Sequence, residues 1–413
     1  MPISHSRHPY YSYKSRRHTP EKRRHQKWLL IIMCLFVVSG CIYWYIQPLS
    51  PIASKDKVLS VRVPSKATIT WPATSQAAIG TVDQGVLDQK PDQLPKPTAS
   101  TAKIITALTV LKHKPMKTGE TGPEITMSQK DVDIYNQYYA NDGSVAKVAV
   151  GQKLTQYQML QGLLLPSANN YADSLAIWAF GSLQAYQKAA QTLVGELDMQ
   201  QTTVGSDASG FAPDTLSTAE DLTKLAIAAM RQPVIAEIII QDQVDLPIAG
   251  VKQNTNWLLG ADGVVGIKTG NTNEAGGVYV FASQYMVDSV HGTIIVGAVQ
   301  GEPNIIAAMN QARLLIAQAK THLRLETIVK KDQVVATYTS PWRKQVNAIA
   351  GSDLRVLVWQ ATTIKPTVVV REVTAPTQKG TIVGKIKVGH SFSEVVLEDT
   401  LDVPPWQWRV LRW

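Results

Sequence analysis

The longest unbroken apolar stretch of the chain is residues 28–46, 19 positions from Trp28 to Ile46 without a charge. As a helix it is about 28 Å long, enough to cross a bilayer core. Trp28 at one end and Tyr43, Trp44 and Tyr45 at the other stand as interfacial aromatics. Residues 47–74 mix Pro, Ser and Lys around one short apolar piece, Val58 to Val63, and read as a stalk. Two short apolar pieces then flank Asp83-Gln84-Gly85, a hairpin signal. Ile104, Ala107, Leu108 and Leu111 recur at helical spacing, with Pro97 just upstream. Residues 114–150 read as loop. Helices follow over 155–165, stopped by Pro166, over 170–180 and over 184–193. Residues 217–230 form another, with a capping-box-like Thr218 and Asp221 and an apolar face of Leu222, Leu225, Ala226 and Ala229. Apolar strands at 264–270, 277–283 and 292–299 precede a long helix over 305–321. Strands gathered late, with helices before and after, predict an α/β domain with a covered sheet.

After residue 323 the texture changes. Short strand patterns at 355–359, 367–371, 384–388 and 393–397 lie between Gly, Pro and Asp turns, with no helical period. They predict a separate all-β domain of about 90 residues. The alternation of Trp406, Trp408 and Val410 predicts a final strand on its sheet. The organisation expected is a tail (1–27), a membrane anchor (28–46), a stalk (47–74), a main domain (75–323) and a β-rich domain (324–413).

Charge changes this picture in one place. The chain has 413 residues and a formal net charge of +9. Residues 1–27 hold eight Lys or Arg and one acid, Glu21, hence +7, and the remainder carries +2. The basic excess therefore belongs to a tail and not to a nucleic-acid-binding surface. It keeps the N-terminus cytoplasmic and places the rest of the chain outside, in a single-pass membrane protein. Val38-Ser-Gly-Cys41 also resembles a lipoprotein processing site, and a cleaved signal peptide is the other alternative, but no small-residue cleavage site follows before Gln47 and Pro48. Both cysteines, Cys34 and Cys41, lie within the apolar run, so no disulfide or Cys-based metal site is expected downstream. The four histidines beyond the tail lack ligand spacing, and neither metal nor other cofactor is expected.

Three short motifs carry chemistry. Ser100 and Lys103 lie three apart at the start of the helix that bears Ile104, which sets a hydroxyl and an amine side by side over the positive end of the helix dipole. That is the pattern of an activated nucleophile. The same spacing recurs at Ser54 and Lys57 in the stalk, without apolar periodicity behind it. Ser167-Ala-Asn169 sits in a break between two helices, and Lys268-Thr269-Gly270 at the end of an apolar strand. Lys117-Thr-Gly119 repeats those last three letters in a loop with no strand pattern.

In this order the three motifs resemble the signature of penicillin-binding proteins and serine β-lactamases, and most closely that of the low-molecular-mass D-alanyl-D-alanine carboxypeptidases. Asp207-Ala-Ser-Gly-Phe211, Asn256-Trp-Leu-Leu259 and Lys268-Thr-Gly-Asn-Thr-Asn-Glu-Ala-Gly-Gly277 are similar to further stretches of that family. The resemblance implies a β-lactamase/transpeptidase-like α/β (α+β) domain, with a central, mostly antiparallel sheet covered by helices and followed by a small all-β domain. It implies an acyl-enzyme on Ser100, with Lys103 as proton acceptor, kept neutral in part by Lys268. Ser167 would relay a proton and Asn169 would orient Lys103 and the substrate. Lys268, Thr269 and Gly270 would hold the substrate carboxylate on a strand edge, and the backbone N–H groups of Ser100 and Asn271 would form the oxyanion hole. The implied substrate is the peptidoglycan stem peptide, and β-lactams would acylate the same serine.

Three positions depart from the family pattern. Asn170 replaces a usual Asp and Phe211 a usual Leu, and Gln300-Gly-Glu-Pro-Asn304 carries no Arg where members often place one. A β-lactamase is the alternative reading, but Glu196-Leu-Asp-Met-Gln lacks the motif that would activate a deacylating water. Endopeptidase or transpeptidase activity is an alternative within the family.

Overall fold

The computed structural model describes residues 20–63, 68–359, 362–389 and 391–412. The basic tail up to residue 19 lies outside them. Helix α1 (Pro20–Ile46) leads the chain, and its apolar part has no side chain buried against the protein. It is long and apolar enough to cross a membrane. Two short strands follow, β1 (Ser54–Asp56) and β2 (Val61–Val63), then the hairpin β3 (Gln76–Thr81) and β4 (Gly85–Gln89). A helical block comes next: α2 (Ala102–His113), α3 (Gln129–Ala140), α4 (Gln156–Leu164), α5 (Asn169–Phe180), α6 (Leu183–Glu196), α7 (Ala219–Arg231) and α8 (Pro233–Ile239). Strands β5 (Val264–Thr272), β6 (Gly276–Met286) and β7 (Gly292–Glu302) and helix α9 (Ile305–His322) complete this unit.

The five strands form one antiparallel sheet in the order β5-β6-β7-β3-β4. Alternate residues of a strand point to opposite faces. One face presents Ala78, Val280, Ala282, Val296 and Ala298 to the core built with α2, α4, α5, α7 and α8. The other presents Ile79, Tyr279, Phe281, Ile295 and Val299 to Met309, Leu315 and Ile316 of α9. Burial on both faces is why these strands read as nearly continuous apolar runs.

The strands after α9 are β8 (Arg324–Val329), β9 (Val334–Thr339), β10 (Gln345–Ala350), β11 (Leu354–Val358), β12 (Thr362–Ile364), β13 (Thr367–Val370), β14 (Ile382–Val388) and β15 (Ser391–Leu397). They build a second unit with its own core, around a six-stranded sheet ordered β1-β9-β10-β15-β14-β13. This corrects the reading of residues 47–74 as a stalk. β1 pairs with β9 and β2 with β12, and Ile52 and Val63 are buried in the second core. Their partners lie so far along the chain that local pattern holds no sign of them.

Two further expectations change. Residues 406–410 are not a strand but part of helix α10 (Trp406–Leu411), which packs on the C-terminal end of α1. The last carbonyls of a helix have no partner within it. Here Arg409 donates to the carbonyls of Tyr45 and Gln47, and Arg412 to that of Trp44, while Trp408 meets Trp342 edge to face. Within the supposed loop 114–150 lies α3, opened by a capping box in which Asp131 accepts the backbone N–H of Ser128.

Candidate active site

Ser100 sits on a single 3-10 turn, Ala99–Thr101, that runs straight into α2. The turn is held from both sides. Thr98 N–H donates to Thr215 O, and the Thr101 hydroxyl to Thr98 O. Gly210 lies against it at φ +70°, where a Cβ would come within 2.1 Å of Ala99 O. Only glycine allows that approach.

Lys103 is completely buried one turn further on. Its Nζ donates to Ser100 Oγ at 2.9 Å, to Asn169 Oδ1 at 2.7 Å and to Ser209 O at 3.0 Å. Three acceptors match the three protons of an ammonium. When the amine is neutral it has a lone pair to offer, and the Ser100 hydroxyl becomes the donor. Burial lowers the Lys103 pKa to about 7, against the carboxylates of Asp207 and Asp173, which raise it. Desolvation, which the sequence reading named together with a partial contribution from Lys268, is the largest cause of this shift. Lys268 is itself held well below the usual lysine range by its own burial, with the charge of Lys103 adding to it.

The carboxylates belong to a polar layer beneath Lys103. Asp207 caps its own turn, accepting the backbone N–H groups of Ser209, Gly210 and Ala212. Asp173 accepts Ala208 N–H and the Tyr138 hydroxyl, and burial raises its pKa to about 6. Burial, then these two acids, push the Tyr138 phenol up. None of these roles was expected from the sequence. Asp207 falls in a stretch noted for resemblance, but Tyr138 and Asp173 become relevant only once α3 and α5 pack side by side.

Ser167 occupies the break between α4 and α5 at φ +66°, and its buried Oγ has no hydrogen-bond partner among the described residues. Asn169 opens α5, its backbone N–H donating to Ser144 O. The neighbouring Asn170 makes a two-way pair, accepting Ala146 N–H and donating to Ala146 O. A carboxylate in its place has no proton for the second bond, so the departure at this position serves the 144–148 loop.

β5 closes the other side. A Cβ on Gly270 would lie 3.0 Å from Ala99 Cβ and 3.1 Å from Ser100 N, so the strand passes in contact with the Ser100 turn. Lys268 is buried and donates to Thr269 O at 3.1 Å. Thr269 Oγ1 lies 2.7 Å from Thr255 Oγ1, and Thr255 N–H donates to Leu165 O. Thr255, another residue the sequence reading missed, thereby ties the Ser167 loop to the strand edge. Asn271, next on β5, is exposed. Gln300 is buried and bonds to the carbonyls of Lys96 and Pro97, so it fixes the entry to the Ser100 turn. The structure thus brings Ser100, Lys103, Asn169 and Gly270 into one place, with Ser167 and Thr269 linked through Thr255. Among the described residues no group of three or more His, Cys, Asp or Glu is placed to hold a metal ion.

A sequence profile of the D-alanyl-D-alanine carboxypeptidase family matches residues 63–300. A D-alanyl-D-alanine carboxypeptidase of Mycobacterium tuberculosis is 30% identical over 231 residues, covering 54% of this chain and 73% of the relative. One from a Streptomyces strain is 29% identical over 216 residues, covering 48% and 72%. The crystal structure of a Streptomyces DD-transpeptidase superposes with a TM-score of 0.52 at 25% identity, over 60% of this chain and 98% of that one. A peptidoglycan synthesis regulatory factor (PBP3) from Streptococcus pneumoniae shares the fold across 80% of this chain and 99% of its own, with a TM-score of 0.59 at 19% identity. The family profile spans more than half of the sequence and includes every motif around Ser100, and the chain belongs to the D-alanyl-D-alanine carboxypeptidase family of serine peptidases.

Proposed function

We propose that this D-Ala-D-Ala carboxypeptidase removes the terminal D-alanine of peptidoglycan stem pentapeptides through an acyl-enzyme on Ser100. The observation that carries the residue assignment is the buried Lys103 amine, 2.9 Å from Ser100 Oγ, with a pKa of about 7. Neutral Lys103 takes the Ser100 proton as Oγ bonds to the penultimate carbonyl carbon. The oxyanion forms against the N–H groups of Ser100 and Asn271. The carbon–nitrogen bond to the terminal D-Ala then breaks, and its amine takes the proton from Lys103 by way of Ser167, whose Oγ is free to serve. Thr269 and Lys268 hold the terminal carboxylate at the edge of β5. Water releases the acyl group.

A β-lactam acylates the same serine. Glu196 pairs with Lys112 on the outer end of α2, at half-exposed side chains, and is not placed to drive a deacylating water. α1 anchors the protein in the cell membrane, with the basic tail cytoplasmic and the peptidase outside. Mass spectrometry of the protein after benzylpenicillin treatment, and D-alanine release from a pentapeptide ending in D-Ala-D-Ala, test this together. A stable adduct on Ser100 and loss of both signals in Ser100→Ala are expected. Undiminished release by Ser100→Ala sinks the assignment.

A further inference from the structure

The two side chains read as holding the substrate's terminal carboxylate are not equally able to do so. Lys268 is buried, its Nζ donates to Thr269 O at 3.1 Å, and its pKa lies well below the usual lysine range because of that burial. Desolvation thus works against a charged Lys268. The hydroxyl of Thr269 is then the donor on which a carboxylate depends. Thr269 lies on β5, the outermost strand of its sheet, and is 7% exposed. A hydroxyl has one proton to donate. Where that proton points decides whether Thr269 reads a carboxylate.

Thr255 controls that direction. The Thr255 and Thr269 hydroxyl oxygens lie 2.7 Å apart, a full hydrogen bond in which either one can be the donor. Thr255 Oγ1 also lies 3.3 Å from Leu165 O, and the Thr255 N–H donates to the same carbonyl at 3.0 Å. Two hydroxyl protons therefore face three acceptors: Leu165 O, the partner hydroxyl and an arriving carboxylate. When Thr255 donates to Leu165 O, Thr269 must donate to Thr255 and has no proton left for a ligand. When Thr255 donates to Thr269 Oγ1, the Thr269 proton is released for one. The second arrangement costs little. A 3.3 Å contact is long for an O–H···O bond, and Leu165 O keeps the Thr255 N–H. A carboxylate beside Thr269 selects it, because a hydrogen bond to a charged acceptor is roughly twice as strong as one between neutral groups.

We infer that Thr255 is a positioning residue for the terminal carboxylate: its hydroxyl turns over to donate to Thr269 Oγ1 and so commits the Thr269 proton to the substrate. This rests on the reading of the Ser100 site as one for peptides and β-lactams that carry a free carboxylate. In this role Thr255 acts through Thr269 alone. It sets how strongly the acid is preferred and leaves the chemistry at Ser100 as it is.

The test compares acylation of the full-length protein by benzylpenicillin and by its methyl ester, which has the same reactive ring and no free carboxylate. Mass spectrometry follows both rates. Wild type is expected to react faster with the acid. Thr255→Val keeps the shape and the N–H bond to Leu165 O and removes the hydroxyl. Its rate with the acid is expected to fall at least tenfold, and its rate with the ester to stay within about twofold of wild type. Thr255→Ser returns the hydroxyl and is expected to restore the preference. Thr255→Ala, which places no methyl against Thr269, is expected to match Thr255→Val and separates loss of the hydroxyl from a packing fault in that variant. Equal slowing with acid and ester in both hydroxyl-free variants shows a merely structural role and overturns the inference. An unchanged acid-to-ester ratio overturns it, as does a serine variant that behaves like valine. Wild type that shows no preference for the acid also overturns it. No labelling of wild type by either form overturns the Ser100 reading and this inference with it.

Discussion

In the proposed mechanism Lys103 acts as a base only while it is unprotonated, and burial lowers its pKa to about 7. Acylation by a β-lactam is therefore expected to be slow below that pH, to rise through it and to level off above it. Asp173 is one of the two acids that raise this pKa, and at pH 7 it is mostly ionised. Asp173→Asn keeps the shape, removes the charge and is expected to move the rise to lower pH. A series of acylation rates across pH 5–9 checks this, and a midpoint moving upward would contradict it. Lys103→Ala should lose a factor of about 100 or more in the same assay. At this scale the sequence was informative where a relation is local. Ser100 and Lys103 are three residues apart where the 3-10 turn runs into α2, and their 2.9 Å contact follows from that local helical spacing. Thr255, Asp173 and Tyr138 act across packed elements, and nothing within a few residues of any of them marks the role, whereas Asp207 caps its own turn inside a stretch the sequence did mark, and only its nearness to Lys103 is non-local.

The Ser100 turn owes its shape to elements that are not its own. Gly210, on the loop after α6, sits so close that a methyl group would overlap Ala99 O, and its φ of +70° is unfavourable for any other residue. Gly210→Ala is expected to cost about 2 kcal/mol or more of stability and to slow penicillin acylation at least tenfold, because the turn must move to make room. Thermal denaturation and labelling kinetics measure both. Elements with strong periodicity were readable in advance: α2 by its apolar face, and β5, β6 and β7 by runs buried on both sides. α3 was missed because only Tyr138 among its residues is fully buried, although Ser128 and Asp131 had the right spacing for a cap. α10 was misread because an alternation of large side chains over five residues fits either a strand or one turn and a half of helix. Its real determinant is the set of free carbonyls at the end of α1.

In the whole molecule, the β unit is made from both sides of the catalytic unit. Ile52 and Val63 fill its core, and β1 and β2 extend its sheets. Burial of two such side chains contributes about 3 kcal/mol or more. A truncation beginning at residue 68 is expected to lower the melting temperature of the β unit relative to one beginning at residue 47, while leaving penicillin labelling of the other unit intact. Calorimetry separates the two transitions, and equal melting of both truncations would show that the early strands are dispensable.

This arrangement also sets a schedule. Ser54 faces Tyr338, so the first strand of the β unit is synthesised long before its partner exists. At roughly 5–20 residues per second the wait is on the order of tens of seconds. Meanwhile everything between them can fold. The β unit is thus the last part of the protein to close, and its early strands stay unpaired, with their edges open to other chains, until β9 and β12 arrive. The unit that carries Ser100 can be complete while the protein is still unfinished, so on the proposed mechanism an activity measurement does not report whether the β unit has closed.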